Sequence, residues 1–355
     1  VTELECSTVD RGWGVIRLSE FTDGRAQCHD GPMSARHQPV VVLAGASGFL
    51  GTDLARRFTA DGWNVKRIGR SGPDGQWGHT AGITRVLDGA RLLVNLAGKS
   101  VDCRYTRANR AEILRSRVET TAELHRAVAA AATPPLVWMN ASTATIYRHE
   151  EERANTEDEG VLGEGFSVEV ARAWEAEFFS GETPGLRRLA LRMTIVLGEG
   201  PATAILLRLA RIGLGGPQFD GPWPSTRERR EAGVHHEYRR TLGRQHFSWI
   251  HVEDVYRSIL FLFLEESRLT GPVNLASPNP SDNIELSRLL RAAVGRRIGL
   301  PAPRFVLEPA TFLLRTETEL LLKSRWVVPA RLEESGFSFA HPHLAEALRA
   351  VVASR

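Results

Sequence analysis

The sequence predicts an α/β fold: a doubly wound parallel sheet with a smaller, mainly helical C-terminal lobe. Three observations predict it. Val40–Ala44 is an unbroken apolar run, the pattern of a strand buried on both faces. A glycine-rich turn follows and opens a helix with Leu50, Leu54 and Phe58 on one side. Strands expected at 64–68, 91–96 and 136–141 then alternate with helical patterns, above all the long one at 106–132, which Thr133-Pro134-Pro135 ends.

The flanking segments read differently. Residues 1–38 are polar and predict a flexible extension, with a short docking strand at 14–18 as the alternative. The pattern loosens after 200. A Pro/Gly/Arg-rich stretch at 217–244 reads as an inserted loop, solvated and mobile, or else as a lid or docking strip for an anionic ligand. A helix over 252–266 and a strand over 272–275 follow, and the tail is helical with breaks at Pro280, Pro301, Pro303, Pro309 and Pro329. The expected organisation is therefore an extension (1–38), a dinucleotide-binding domain (39–265) and a C-terminal, substrate-side lobe (266–355).

Composition narrows the function. Of 355 residues, 42% are hydrophobic and 25% charged, enough for a sizeable core. The longest apolar runs, such as 260–264, are far short of a bilayer span, so no membrane partner is expected. A net charge of +3 from 45 basic and 42 acidic residues gives no reason to expect nucleic acid. Cys6, Cys28 and Cys103 form no CxxC pair, and the histidines at 235, 236, 246 and 251 match no ligand spacing, so no metal is expected. Residues 1–38 hold no apolar secretory core, so a cytoplasmic location is expected. Only Lys66, Lys99 and Lys323 are lysines, so lysine-dependent chemistry is easy to locate.

Gly45-Ala-Ser47-Gly48-Phe49-Leu50-Gly51 stands between a buried strand and an amphipathic helix, the context of a dinucleotide-binding turn. Its glycines permit the tight turn, the approach of a pyrophosphate and close helix–strand packing. The second strand ends Lys66-Arg67-Ile68-Gly69-Arg70-Ser71, with no acid before Asp74. A ribose 2′-OH calls for an acid there and a 2′-phosphate for an arginine, so NADP(H) is favoured over NAD(H).

Further segments carry a family resemblance: Asn95-Leu96-Ala97-Gly98, Arg104-Tyr-Thr, Ser116-Arg117-Val-Glu-Thr-Thr121, Ala173-Trp-Glu175, Arg192-Met-Thr-Ile-Val-Leu-Gly198, Gly213-Leu-Gly-Gly216, Phe247-Ser-Trp-Ile-His251 and Gly271-Pro-Val-Asn274. Together they resemble the atypical, epimerase-like branch of the extended short-chain dehydrogenases/reductases. About 300–352 resembles that branch's small C-terminal domain. The resemblance implies a Rossmann-type domain in which the glycine turn holds the pyrophosphate. It further implies that Gly69 and Arg70 face the adenosine phosphate and that Leu96, Ala97 and Gly98 line the nicotinamide side. Glu112 and Arg117 would approach from above, and Val196 would close the pocket.

Such enzymes commonly use a tyrosine with a lysine four residues later. Here no tyrosine has one, and the places fall to Phe166/Val170 or Ser167/Ala171. Thr143 stands at the usual hydroxyl position. Tyr147, with Lys99 as its neighbouring cation, is the candidate substitute acid. Two functions stay open: an NADP(H)-dependent reductase or epimerase with a small substrate, free or nucleotide-linked, and a coenzyme-binding sensor or assembly factor without turnover. A homodimer stays open as well.

Overall fold

A computed structural model describes residues 38–181, 183–264 and 268–354. The expected extension and its alternative strand at 14–18 lie outside the described residues. In chain order the first elements are β1 (Val40–Ala44), α1 (Phe49–Ala60), β2 (Asn64–Gly69), β3 (Gly75–Gln76), α2 (Thr80–Leu87), β4 (Leu92–Asn95), α3 (Arg107–Ala129), β5 (Val137–Thr143), α4 (Phe166–Phe179), β6 (Arg187–Met193), β7 (Ile195–Leu197) and α5 (Pro201–Arg211). Then come β8 (Gln218–Phe219), α6 (Arg227–Glu231), β9 (His246–Phe247), β10 (Trp249–His251), α7 (Val252–Phe263), β11 (Gly271–Leu275), β12 (Ser281–Asp282) and α8 (Asn283–Ala293). The chain ends with β13 (Ala302–Pro303), α9 (Arg304–Leu313), α10 (Glu319–Leu322), α11 (Ala330–Glu334) and α12 (Leu344–Ala353).

Two-residue alternation in the strands sets the layers. Val41 and Leu43 of β1 join one core, Val42 and Ala44 the other, and all four are fully buried. Leu92 and Val94 of β4 likewise oppose Leu93, and Met139 of β5 opposes Trp138. Helices α1 and α7 cover the first face through Leu54, Phe58, Val255 and Ile259. Helices α2, α3 and α4 cover the second through Ile83, Leu87, Leu124, Ala127 and Phe178. Burial on both sides is why these strands are continuous apolar runs in the sequence.

The main sheet has the order β3-β2-β1-β4-β5-β6-β11, and every pairing is parallel. This is the doubly wound, Rossmann-type arrangement. Strand order reverses between β1 and β4, which pair through Ala44 and Asn95 at their carboxyl ends. A ligand crevice opens at such a reversal.

Two expectations about organisation change. The boundary placed at 265/266 would cut through the main sheet, because β11 lies beyond it and pairs with β6 from Gly271↔Leu189 to Leu275↔Met193. The smaller core is built instead from α5, α8, α12, β7 and β10, through Leu207, Leu290, Leu348, Leu197 and Trp249. The 217–244 stretch is a packed strap rather than a solvated loop. β8 pairs with β13, Val234 is buried, and Asp220 accepts hydrogen bonds from His236 Nε2 at 2.8 Å and Arg304 Nη1 at 3.2 Å. Six arginines made this stretch look solvated, yet Arg229 reaches out of it to the buried Glu317 at 2.7 Å.

Candidate functional site

The turn after β1 is a backbone cradle. Gly45 has φ +78°, and a Cβ there would lie 2.7 Å from Ala97 N. A Cβ on Gly51 would lie 2.6 Å from Ala46 Cα. These two glycines serve the protein's own packing. Gly48 is different: φ is −77°, and its nearest neighbour would be Gly45 O at 3.8 Å. Among the described residues nothing forbids a side chain at Gly48, so the space they leave beside it can take a ligand. Gly48 caps α1 without a side-chain acceptor, and no acid stands in the first turn. The first N–H groups of α1 therefore point outward, beside exposed Ser47 and half-buried Phe49 and Leu50, at the positive end of the helix dipole. The Phe49 ring fills the space beside Gly198 and Gly200, where a Cβ would meet it at 2.8 Å.

The facing wall is the turn after β4. Asn95 Oδ1 accepts from Ala97 N at 3.0 Å, and Asn95 Nδ2 donates to Asn140 at 2.7 Å. Leu96 is half-buried and Ala97 buried. Helix α3 locks the turn from above, since Ser116 Oγ accepts from Lys99 N at 2.9 Å and Arg117 Nη1 donates to Lys99 O at 3.0 Å. The Arg117 guanidinium lies against Gly98 and 5.0 Å from the Trp174 ring centroid. Burial lowers Arg117 to about 10, and it has no carboxylate partner among the described residues. Glu112 stands apart from it, on the exposed side of α3, paired with Arg115 at 2.6 Å. Val196, on β7 beside Ile250 of β10, is half-buried against the core that carries α1.

At the end of β2, Asp74 is already engaged: it accepts from Arg67 N at 2.8 Å and from Lys66 Nζ at 3.3 Å. Arg70 is exposed beyond Gly69 and has no hydrogen-bond or ion-pair partner among the described residues.

The end of β5 holds Thr143, half-buried, with Oγ1 accepting from Thr145 N at 3.1 Å. Tyr147 does not present a free phenol. It is 2% exposed, donates to Asn274 Oδ1 at 2.9 Å and accepts from Arg192 Nη1 at 2.9 Å. Arg192 in turn binds Glu175 at 2.7 Å, and Ser142 donates to the same carboxylate at 2.6 Å. The cation beside Tyr147 is thus Arg192, where the sequence pointed to Lys99. Burial raises the Tyr147 phenol, and Arg192 only partly opposes this. The network fastens β5, α4, β6 and β11 together.

Sequence reasoning passed over a second cluster, between α3, α4 and the C-terminal segment. Tyr105 is buried beside Ser167, which donates to Glu319 Oε2 at 3.4 Å. Lys323 is buried, donates to Thr145 O at 3.2 Å and lies 3.8 Å from Glu319 Oε1. Arg325 is buried and donates to the carbonyls of Leu320 and Lys323. Only one signal in the sequence marked this cluster: a lysine among 42 arginines.

His251, Glu253 and His341 bring three potential ligand atoms within 4.8 Å of one another. Their bonds explain the grouping without an ion. His251 Nδ1 accepts from Glu253 N at 3.3 Å as the cap of α7, and His341 Nε2 pairs with Glu253 at 3.1 Å.

Comparison with known proteins places this geometry. Residues 41–276 match the model of the NAD dependent epimerase/dehydratase family, and residues 302–351 match a domain of unknown function, DUF1731. Epimerase family protein SDR39U1 of Bos taurus is 34% identical over 324 residues, covering 88% of this chain and 99% of its own. Epimerase family protein YfhF of Bacillus subtilis is 28% identical, covering 89% and 98%. The crystal structure of human SDR39U1 (isoform 2) with NADPH superimposes with a TM-score of 0.74 at 27% identity, over 89% of this chain and 100% of that one.

Proposed function

The chain belongs to the NAD dependent epimerase/dehydratase family, and from that premise we propose that it is an NADP(H)-dependent oxidoreductase or epimerase. Its substrate is small, carries a carbonyl or hydroxyl group, and belongs to a class that includes nucleotide-linked sugars. The observation that carries the reading is the open space at Gly48 beside uncapped N–H groups of α1, a recess that none of the described residues fills. When bound, the coenzyme supplies or accepts the hydride. The chain's part is to hold and orient. The 45–51 backbone grips the pyrophosphate, Arg70 grips the 2′-phosphate, and Leu96, Ala97 and Val196 wall the nicotinamide. Arg117, pinned to the 97–99 turn, keeps that wall in place. Thr143, at the end of β5, orients the reacting oxygen.

The human relative's NADPH and the free Arg70 both favour the phosphorylated coenzyme. Calorimetry tests this. NADPH should bind about 10-fold or more tightly than NADH, and Arg70→Glu should abolish the difference by removing a charge-assisted phosphate contact of about 1.5–3 kcal/mol. Equal affinity for the two coenzymes in the unaltered chain would refute the preference. Failure to bind either would refute the function.

One observation supports a non-catalytic reading: α4 offers Phe166 and Ser167 where a tyrosine acid would stand, and Tyr147 is bound up in the network. Steady consumption of NADPH with a carbonyl substrate separates the two readings.

A further inference from the structure

We propose that Lys323, carried in by the C-terminal segment, gives and takes the substrate proton at the carboxyl end of β5, a role that rests on the oxidoreductase reading above. Position is the first ground. Lys323 Nζ donates to Thr145 O at 3.2 Å, two residues beyond Thr143. Substrates of open parallel sheets lie outside these strand ends.

The second ground is the vacated acid position. Ser167, at the start of α4, binds Glu319, and Glu319 faces Lys323. The place from which a tyrosine would work is therefore tied to the lysine by one carboxylate. Tyr105 joins it through Ser167 and lies close enough to Arg117 and Arg325 to feel both charges. The cluster thus runs from the wall at Gly98 to Lys323.

The third ground is an unspent donor. An ammonium has three N–H groups. One goes to Thr145 O, the pair with Glu319 is loose at 3.8 Å, and no further partner exists among the described residues.

The facing charges suit proton exchange. Burial, and then Arg325, push Lys323 down against the pull of Glu319, to about 8. Nearby Glu317 is held by Arg104 at 3.3 Å and Arg229 at 2.7 Å. Burial lifts Tyr105 to about 12, too high to exchange protons near neutrality. An arginine holds its proton throughout the neutral range. In the reducing direction the carbonyl carbon gains a hydride from the coenzyme and its oxygen takes the proton of the Lys323 ammonium. The amine left behind is reprotonated by solvent. In the oxidising direction the neutral amine takes the hydroxyl proton as the hydride leaves for the oxidised coenzyme.

With three lysines in the chain, trace labelling with acetic anhydride followed by peptide mass spectrometry reads each one separately. Lys323 should titrate near pH 8 in the free protein. Its midpoint should sit about one pH unit lower in the NADP⁺ complex than in the NADPH complex, because the oxidised ring adds a positive charge nearby. Lys66, near the phosphate end, is the internal reference. A midpoint above 10, or one that is the same in both complexes, overturns the proton role. Calorimetry run alongside shows whether the coenzymes bind. If they do not, it is the functional reading that has failed.

Lys323→Met and Lys323→Arg supply the second arm. Both should keep NADPH affinity and folding, while reduction of 9,10-phenanthrenequinone and ethyl benzoylformate falls about 100-fold and loses its limb near pH 8. Folded variants that keep the rate and the profile overturn the proposal. A wild type that binds NADPH and reduces neither compound overturns the functional reading, and the proton role with it.

Discussion

Three glycines in one turn do different work. A Cβ at Gly45 or Gly51 would meet protein backbone within 2.7 Å, whereas one at Gly48 would have open space among the described residues. The contrast separates folding from binding. Gly51→Ala should cost about 1–3 kcal/mol in urea unfolding, the usual penalty for overpacking. Gly48→Val should change stability by only about 1 kcal/mol, a cap effect, yet weaken NADPH binding about 100-fold. If Gly48→Val binds NADPH as the wild type does, the cradle does not hold the pyrophosphate. Tyr147 teaches the opposite lesson. Its sequence neighbourhood suggested an acid, but the Arg192 and Asn274 partners that occupy it lie 45 and 127 residues away in the chain, and no local pattern announces them.

Among the elements, the 217–244 strap was the hardest to read. Its composition is that of a solvated loop, and its order comes from distant partners: β13, Arg304, Glu317 and the start of α4. Asp220 is its anchor. Burial works against its charge, but hydrogen bonds from His236 and from the N–H of Arg239 more than offset this and lower its pKa. Asp220→Ala removes one carboxylate from Arg304, which keeps Glu308 at 3.0 Å, and strips His236 of its partner, a change that costs about 1–3 kcal/mol. Limited proteolysis should then cut within 217–244. A resistant strap in the Asp220→Ala protein would show that the buried network does not order it. The acidic run at 150–159 is a similar case. It looks solvated in sequence, yet Glu150 caps the N–H groups of residues 151 and 152, and Glu157 accepts from Asn274 N at 2.8 Å.

For the whole molecule, a buried histidine makes stability depend on pH. Burial, helped by His341, lowers His251 from its ordinary value to about 4. A group with a depressed folded-state pKa favours the unfolded chain as it protonates. The stabilisation is complete above about pH 6.5 and is lost as pH falls toward 4, up to roughly 3 kcal/mol. His251→Asn, which can still cap α7, should flatten urea-unfolding stability between pH 6.5 and 4.5 relative to the wild type. Equal slopes in the two proteins would assign the dependence to other groups. No helix among the described residues is long and apolar enough to cross a membrane.

The sequence by itself determined the alternating α/β order, the glycine cradle and the lack of the usual tyrosine–lysine pair. These are local properties: periodicity, turn chemistry and residue identity at short spacing. Only the tertiary structure decided that β11 belongs to the main sheet, that the strap is packed, that Tyr147 is tied to Arg192, and that Lys323 comes to the end of β5. Each of these depends on contacts between residues far apart in the chain. Such contacts form because buried charges and hydroxyls must find partners, and a linear pattern does not say which partner each will find.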